Sequence, residues 1–156
     1  MDRLKTFTVR HFEPADDAAW AAMRAKLWPD AGAELARETS DFARGLTLPN
    51  VTAVFIAESE AGDELGFLEL ALRSFSDGCE SMPVPHVEGW YVEANARGKG
   101  VGRALMQAAE EWSVARGYSE LASDTELGNA SSLRAHERCG FEEVERLIKL
   151  RKALSP

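Results

Sequence analysis

The stretch Arg97-Gly98-Lys99-Gly100-Val101-Gly102-Arg103 follows an apolar strand pattern and runs without a break into Ala104-Leu105-Met106-Gln107-Ala108-Ala109. Three glycines and three cations therefore enter a helix N-terminus together. Such a turn offers backbone N–H groups, the positive end of a helix dipole and positive side chains to a single anion. A phosphate-bearing ligand fits this description. A plain glycine-rich turn that only starts a helix fits it as well, and these residues alone leave both readings open. Two common phosphate motifs are excluded by spacing: G-x-x-x-x-G-K-[ST] is absent, and the last glycine of G-x-G-x-x-G would fall on Arg103.

Upstream of the turn, Val84 to Val92 reads as a strand interrupted by Gly89, and a glycine inside a strand marks a bulge or a close backbone approach. Before it, Val51–Ala57 and Leu65–Leu72 form two strands joined by the turn Glu60-Ala61-Gly62-Asp63, a hairpin pattern. Nearer the start, a short leader precedes the strand Phe7–Phe12. A helix with Trp20, Met23, Leu27 and Trp28 at three- and four-residue spacing then ends at Pro29, and a second amphipathic piece runs over about 34–44. Trp20, Met23 and Leu27 are expected in the core. Downstream, Gly117 stops the helix, Glu120–Ser123 is a short strand, Asn129–Cys139 a second helix ended by Gly140, and Glu143–Leu150 a final strand. The order β-α-α-β-β-β-α-β-α-β predicts an α/β (α+β) fold, with a mixed, mostly antiparallel central sheet flanked by helices.

At 156 residues, one domain spanning 1–156 is expected. The chain carries 18 Lys and Arg against 26 Asp and Glu, a formal charge of −8 and a pI near 4.9. A nucleic-acid partner is not expected, because the phosphate backbone repels such a surface, whereas a cationic ligand is steered in. Residues 64–93 concentrate the acid, with six carboxylates and the single base Arg73. Two cysteines, the absence of a secretory pattern and the lack of a membrane-length apolar run together suggest a cytoplasmic chain without membrane attachment. Cys79, His86 and Glu88 match no zinc spacing, and no metal is expected.

The glycine turn resembles the pyrophosphate loop of the GNAT acetyltransferases. Their second signature, an Asn-containing helix ending in Gly-Phe, is matched by Asn129-Ala130-Ser131-Ser132-Leu133-Arg134-Ala135-His136-Glu137-Arg138-Cys139-Gly140-Phe141. Within that superfamily the chain resembles the aminoglycoside 6′-N-acetyltransferases over nearly its full length. Leu27-Trp28-Pro29, Asp77-Gly78-Cys79-Glu80-Ser81-Met82-Pro83-Val84, Val87-Glu88-Gly89 and Ala122-Ser123-Asp124-Thr125 carry this resemblance. It implies acetyl-CoA as acetyl donor, with its pyrophosphate on Gly98, Lys99, Gly100, Val101, Gly102 and Arg103 beside Arg97. Trp90, Val92 and Asn129 are implied as further cofactor contacts. It also implies an aminoglycoside-like cationic substrate held by Trp28, Glu80, Glu88 and Asp124. His136 stands where many GNAT enzymes have the tyrosine that protonates the leaving thiolate.

The chemistry agrees with these assignments. An amine with a pKa near ~10.4 is protonated at neutral pH, and attack on a thioester requires it neutral, so a carboxylate must bind the cation and relay its proton. Glu88 and Asp124 at neighbouring strand ends are the candidates, with solvated strand-end charges as the alternative. His136 is either an acid for the thiolate or a hydrogen-bonded structural residue. Two other functions compete with aminoglycoside acetylation: acetylation of another amine, such as a polyamine or a protein N-terminus, and non-catalytic acyl-CoA sensing. A homodimer is expected, because one strand is left with an unpaired edge.

Overall fold

The structure, a computed structural model, describes residues 6–156. Apart from Thr6, the leader ahead of the first strand lies outside the described residues. The elements are β1 (Phe7–His11), α1 (Asp17–Leu27), α2 (Gly32–Ala43), β2 (Ala53–Ser59), β3 (Glu64–Arg73), β4 (Val84–Val92), α3 (Val101–Ala115), β5 (Ala122–Ser123) and α4 (Ala130–Arg138). The sheet runs β1-β2-β3-β4-β5 in chain order, antiparallel throughout except for the parallel β4–β5 pair. This is the mixed, mostly antiparallel sheet expected from the sequence.

Each face of the sheet buries its own apolar layer. Trp20 and Met23 of α1 pack on Val54, Ile56 and Phe67, with Leu27 partly buried at the margin. On the other face, Leu105, Met106 and Ala109 of α3 pack on Phe55, Leu68, Leu70 and Val87. Local chemistry sets the element ends. Trp28 leaves helical geometry at φ −127°, as expected for a residue before proline. Asn129 caps α4 by accepting the Ser132 N–H at 3.1 Å.

The expected last strand, Glu143–Leu150, is not formed. Phe141–Pro156 has no regular secondary structure, and Val144, Ile148, Leu150 and Leu154 are exposed. Strand geometry depends on a partner for its N–H and C=O groups, and this segment has none within the described residues. It passes over Gly78, where the missing Cβ makes room for the Val144 side chain.

Candidate active site

The site starts from a β-bulge. Glu69 of β3 pairs with Gly89, yet its neighbour Leu70 pairs with Val87, so Glu88 has no partner in the ladder. Val87 and Trp90 belong to the α3 side, whereas Glu88 opens onto a cleft on the α1–α2 side lined by Trp28, Glu34, Glu38 and Glu69. Gly89 is required by close approach: a Cβ there would lie 2.7 Å from Trp28 Cη2 and 3.1 Å from both Glu69 Cγ and Phe67 Cε2. Trp28 thus rests directly on the strand, with Glu88 beside it.

Arg73 donates to both oxygens of Glu88, at 2.7 and 2.9 Å. Burial pushes the Glu88 carboxyl up, but the neighbouring His86 ring and the Arg73 fork outweigh it and bring the group down to about 2. Glu88 is therefore a fixed anion at neutral pH.

The cleft floor contains a buried ion pair. Arg24 donates Nε–H to Glu69 at 3.0 Å and lies between the Trp20 and Trp28 rings, 4.7 and 5.4 Å from their centroids. It also reaches Glu38 and the Thr39 hydroxyl on α2. Sequence reasoning missed this network. Its signals were an arginine inside the apolar stripe of α1 and a glutamate in the middle of Leu65-Gly66-Phe67-Leu68-Glu69-Leu70. Buried charges need partners, so the two belonged together.

The parallel pairing of His86 with Ala122 and Val87 with Ser123 brings Asp124 to the same region as Glu88. The buried His86 ring lies between them, 3.4 Å from Glu88 Oε1 and 3.6 Å from Asp124 Oδ2. The Asp124 side chain is 64% exposed. Glu80 stands apart from this group. It is exposed on the β3–β4 loop, is not among the cleft-lining residues, and gives its backbone N–H to Glu120 at 3.0 Å. Glu120 also accepts the Ser81 N–H and hydroxyl, anchoring that loop, and sequence reasoning gave it no role.

His136 is buried between Trp90 and Phe141. Its Nδ1 faces the Ser132 carbonyl at 2.7 Å and its Nε2 the Ser123 hydroxyl at 2.8 Å. The ring thus uses both nitrogens inside the fold: Nδ1–H donates to the Ser132 carbonyl, Nε2 pairs with the Ser123 hydroxyl, and α4 is tied to β5.

The glycine turn follows the far end of β4. Gly98 and Gly100 have φ of +75° and +87°, a conformation that only glycine adopts without strain. Arg97 donates Nε–H to the Val92 carbonyl, and Trp90 donates Nε1–H to the Gly102 carbonyl at 3.1 Å, docking the first turn of α3 on β4. The Ala104 N–H bonds the Gly100 carbonyl. The earlier N–H groups of this helix have no acceptor in its own ladder and remain available to an anion. Arg103 donates to the Arg138 carbonyl, joining α3 to the end of α4.

Between these parts lies a wedge. β4 pairs with β3 as far as Val92, whereas β5 follows β4 only through Val87. Beyond Val87 the β5-side edge of β4 has no strand partner among the described residues. An extended amide-bearing ligand can lie along such an edge and reach the α3 turn with an anionic end. The left-handed glycines, the positive side chains and this open edge together fit a phosphorylated, pantetheine-like cofactor.

Comparison with known proteins agrees. The "Acetyltransferase (GNAT) family" description matches residues 16–141. The chain is 43% identical over 150 residues to an aminoglycoside N(6')-acetyltransferase type 1 from Stenotrophomonas maltophilia, covering 96% of this chain and 95% of that protein. It is 44% identical over 147 residues to the enzyme of the same name from Klebsiella aerogenes, covering 94% and 96%. The structure of AAC(6')-Iy in complex with the bisubstrate analog CoA-S-monomethyl-acetylneamine superposes with a TM-score of 0.85 at 31% identity, over 95% of this chain and 99% of that one.

Proposed function

This chain belongs to the acetyltransferase (GNAT) family as an acetyl-CoA-dependent N-acetyltransferase, and we propose that it acetylates the 6′-amino group of an aminoglycoside by direct attack of the amine in a ternary complex. The observation that carries this reading is the acidic, Trp28-floored cleft opening beside the wedge that ends at the glycine turn. A polycation held in the cleft meets an acyl donor laid along β4.

Acetyl-CoA supplies an acetyl thioester when bound. Gly98, Lys99, Gly100, Val101, Gly102 and Arg103 hold its pyrophosphate, with Arg97, Trp90, Val92 and Asn129 along its path. A backbone N–H of the bulged strand near Trp90 faces the carbonyl oxygen, where a donor on the developing charge is worth most. Glu88, ionised and clamped by Arg73, binds the substrate ammonium as a fixed anion. Asp124, exposed and outside that clamp, takes the proton that the ammonium must lose. Trp28 offers its ring to the sugar and its cations. Glu80, exposed on the β3–β4 loop outside the cleft, adds to the field that draws the substrate in. His136 anchors α4 beside the wedge, and as a donor to the departing sulfur it acts only in its doubly protonated form, through Ser123 Oγ.

We place the whole chain, 1–156, in one catalytic domain in the cytoplasm, where acetyl-CoA is at hand. No helix among the described residues is long and apolar enough to cross a membrane. A homodimer completes the proposal. β5 ends the sheet, and the apolar side chains of Val144, Ile148, Leu150 and Leu154 gain cover and strand partners from a second copy.

A thiol-release assay over aminoglycosides, polyamines and peptides, with product mass and position determined, tests the function. Release with aminoglycosides bearing a 6′-amine and not with 6′-hydroxyl analogues is expected. Turnover confined to polyamines or peptides overturns the substrate, and cofactor binding without turnover overturns catalysis.

A further inference from the structure

β4 brings a second ionisable residue to the site, two positions before Glu88. The His86 side chain is 2% exposed, and the residue lies where β4 is flanked on both sides, opposite Ala71 of β3 and Ala122 of β5. Nδ1 is 3.4 Å from Glu88 Oε1, and Nε2 is 3.6 Å from Asp124 Oδ2. Both separations exceed a good hydrogen bond, and Nδ1 is a buried ring nitrogen without a hydrogen-bond partner. A buried polar atom aimed at a carboxylate but not bonded to it calls for an explanation.

The ring chemistry supplies one. A neutral imidazole has one N–H and serves one carboxylate, whereas the imidazolium has two and serves both. The charged groups facing the ring are Glu88 from β4 itself, Asp124 from the segment after β5, and Arg73 of β3, which acts through Glu88. Among the described residues, α1 and α2 place no ionised side chain within ion-pair distance of it.

We propose that His86 is a positioning residue of the transfer reaction, a buried spacer that aligns Glu88 and Asp124 on the substrate ammonium and holds the proton the amine gives up. This inference rests on the assignment of those two carboxylates to the amine. In the resting ring Nδ1–H faces the fixed anion Glu88, and the Nε2 lone pair faces Asp124. An N–H bond of the ammonium breaks as an O–H bond forms on Asp124, freeing the amine lone pair. That O–H bond then breaks as Nε2–H forms, giving an imidazolium between two carboxylates. Ammonium and thioester become amide, thiol and one proton, and His86 holds that proton until it leaves to water past the exposed Asp124. No further reactant is needed.

The test uses His86→Gln and His86→Asn, with Glu88→Gln and Asp124→Asn as benchmarks. Each His86 variant is expected to lose at least about tenfold in kcat, with KM for acetyl-CoA unchanged within about twofold. Its kcat should rise with pH through about 9, because only amine that has already lost its proton in water reacts. A loss equal at every pH marks a purely structural role and overturns the proposal, as does a kcat within twofold of the parent. Damage in the benchmarks without damage in the His86 variants overturns this inference alone. Benchmarks that leave the kinetics intact overturn the carboxylate assignment itself.

The unaltered protein provides a measurement that does not depend on the variants folding. The three histidine rings can be followed by proton NMR with neamine and CoA present and absent. A second cation on the same carboxylates should lower the His86 titration midpoint by at least about one unit. An unchanged midpoint overturns the proposal.

Discussion

Replacing Gly89 with alanine adds one methyl group at the most crowded point of the site. That carbon would lie 2.7 Å from Trp28 Cη2 and 3.1 Å from Phe67 Cε2, where carbon atoms prefer about 3.5–4.0 Å. Phe67 is fully buried and cannot retreat, so the Trp28 ring must swing outward by roughly 1 Å. Trp28 is held by Phe67 at 6.5 Å and by Arg24 at 5.4 Å, so the swing also disturbs the buried ion pair beneath it. Overpacking of this kind costs about 1–3 kcal/mol. For a chain of this length that lowers Tm by about 2–12 °C. A tryptophan face is worth about 0.5–2 kcal/mol to a bound cation, so KM for an aminoglycoside should rise about 2- to 30-fold. KM for acetyl-CoA should stay constant, because the α3 turn docks on Trp90, on the other face of β4. Calorimetry and steady-state kinetics of Gly89→Ala read both effects. Gly128→Ala, whose Cβ would meet nothing within 4 Å, is the control. In a Trp28→Ala background the Tm loss from Gly89→Ala should largely disappear. An unchanged Tm, or a rise confined to the acetyl-CoA KM, would refute the packing argument.

Glu88→Gln and Asp124→Asn should each lower kcat/KM for aminoglycosides by at least about tenfold, the loss of one shielded charge-assisted contact of roughly 1.5–3 kcal/mol. Glu88 sits at about 2 in the folded state, below its ordinary value, so its contribution to stability is present above about pH 4.5 and is lost as pH falls towards 2. Arg73→Ala should remove part of that contribution, about 1 kcal/mol for a guanidinium 39% exposed, and denaturant titrations at pH 7 and pH 3 should converge in the variant. Gly100→Ala, at φ +87°, should cost about 1–2 kcal/mol and weaken CoA binding in calorimetry; unchanged affinity in folded protein would remove the turn from the cofactor site. Arg24→Ala should cost about 3–5 kcal/mol, because it strands Glu69 in the core. Sedimentation should give a dimer mass that falls to a monomer when residues 143–156 are removed, and a monomer before truncation would dismiss the homodimer.

Nearest-neighbour signals made much of this legible in the sequence. The bulge and the close approach at Gly89 followed from one glycine in one strand, and the α3 turn from residues adjacent in the chain. Trp28 and Glu88, sixty residues apart, were matched by resemblance, and the packing of Trp28 on Gly89 supplies the reason that they share a cleft. What stayed hidden depended on register between distant segments. His86 meets Asp124 only because β5 aligns Ala122 with it, and the pairing of Arg24 with Glu69 joins α1 to β3 across 45 positions of the chain. The unformed last strand has the same origin. Val144, Leu147, Ile148 and Leu150 suit a strand, but local composition cannot say whether a partner edge exists in the same chain.

The short β4–β5 ladder has a consequence for anyone wishing to make this protein hardier. The obvious improvement is to extend β5 and zip it along β4, adding backbone hydrogen bonds and removing an exposed edge. Each added rung would occupy the slot in which the acyl donor is proposed to lie. A screen that rewards heat resistance alone should therefore enrich variants that survive boiling and acetylate nothing, whereas changes confined to the β1 side of the sheet leave the slot open.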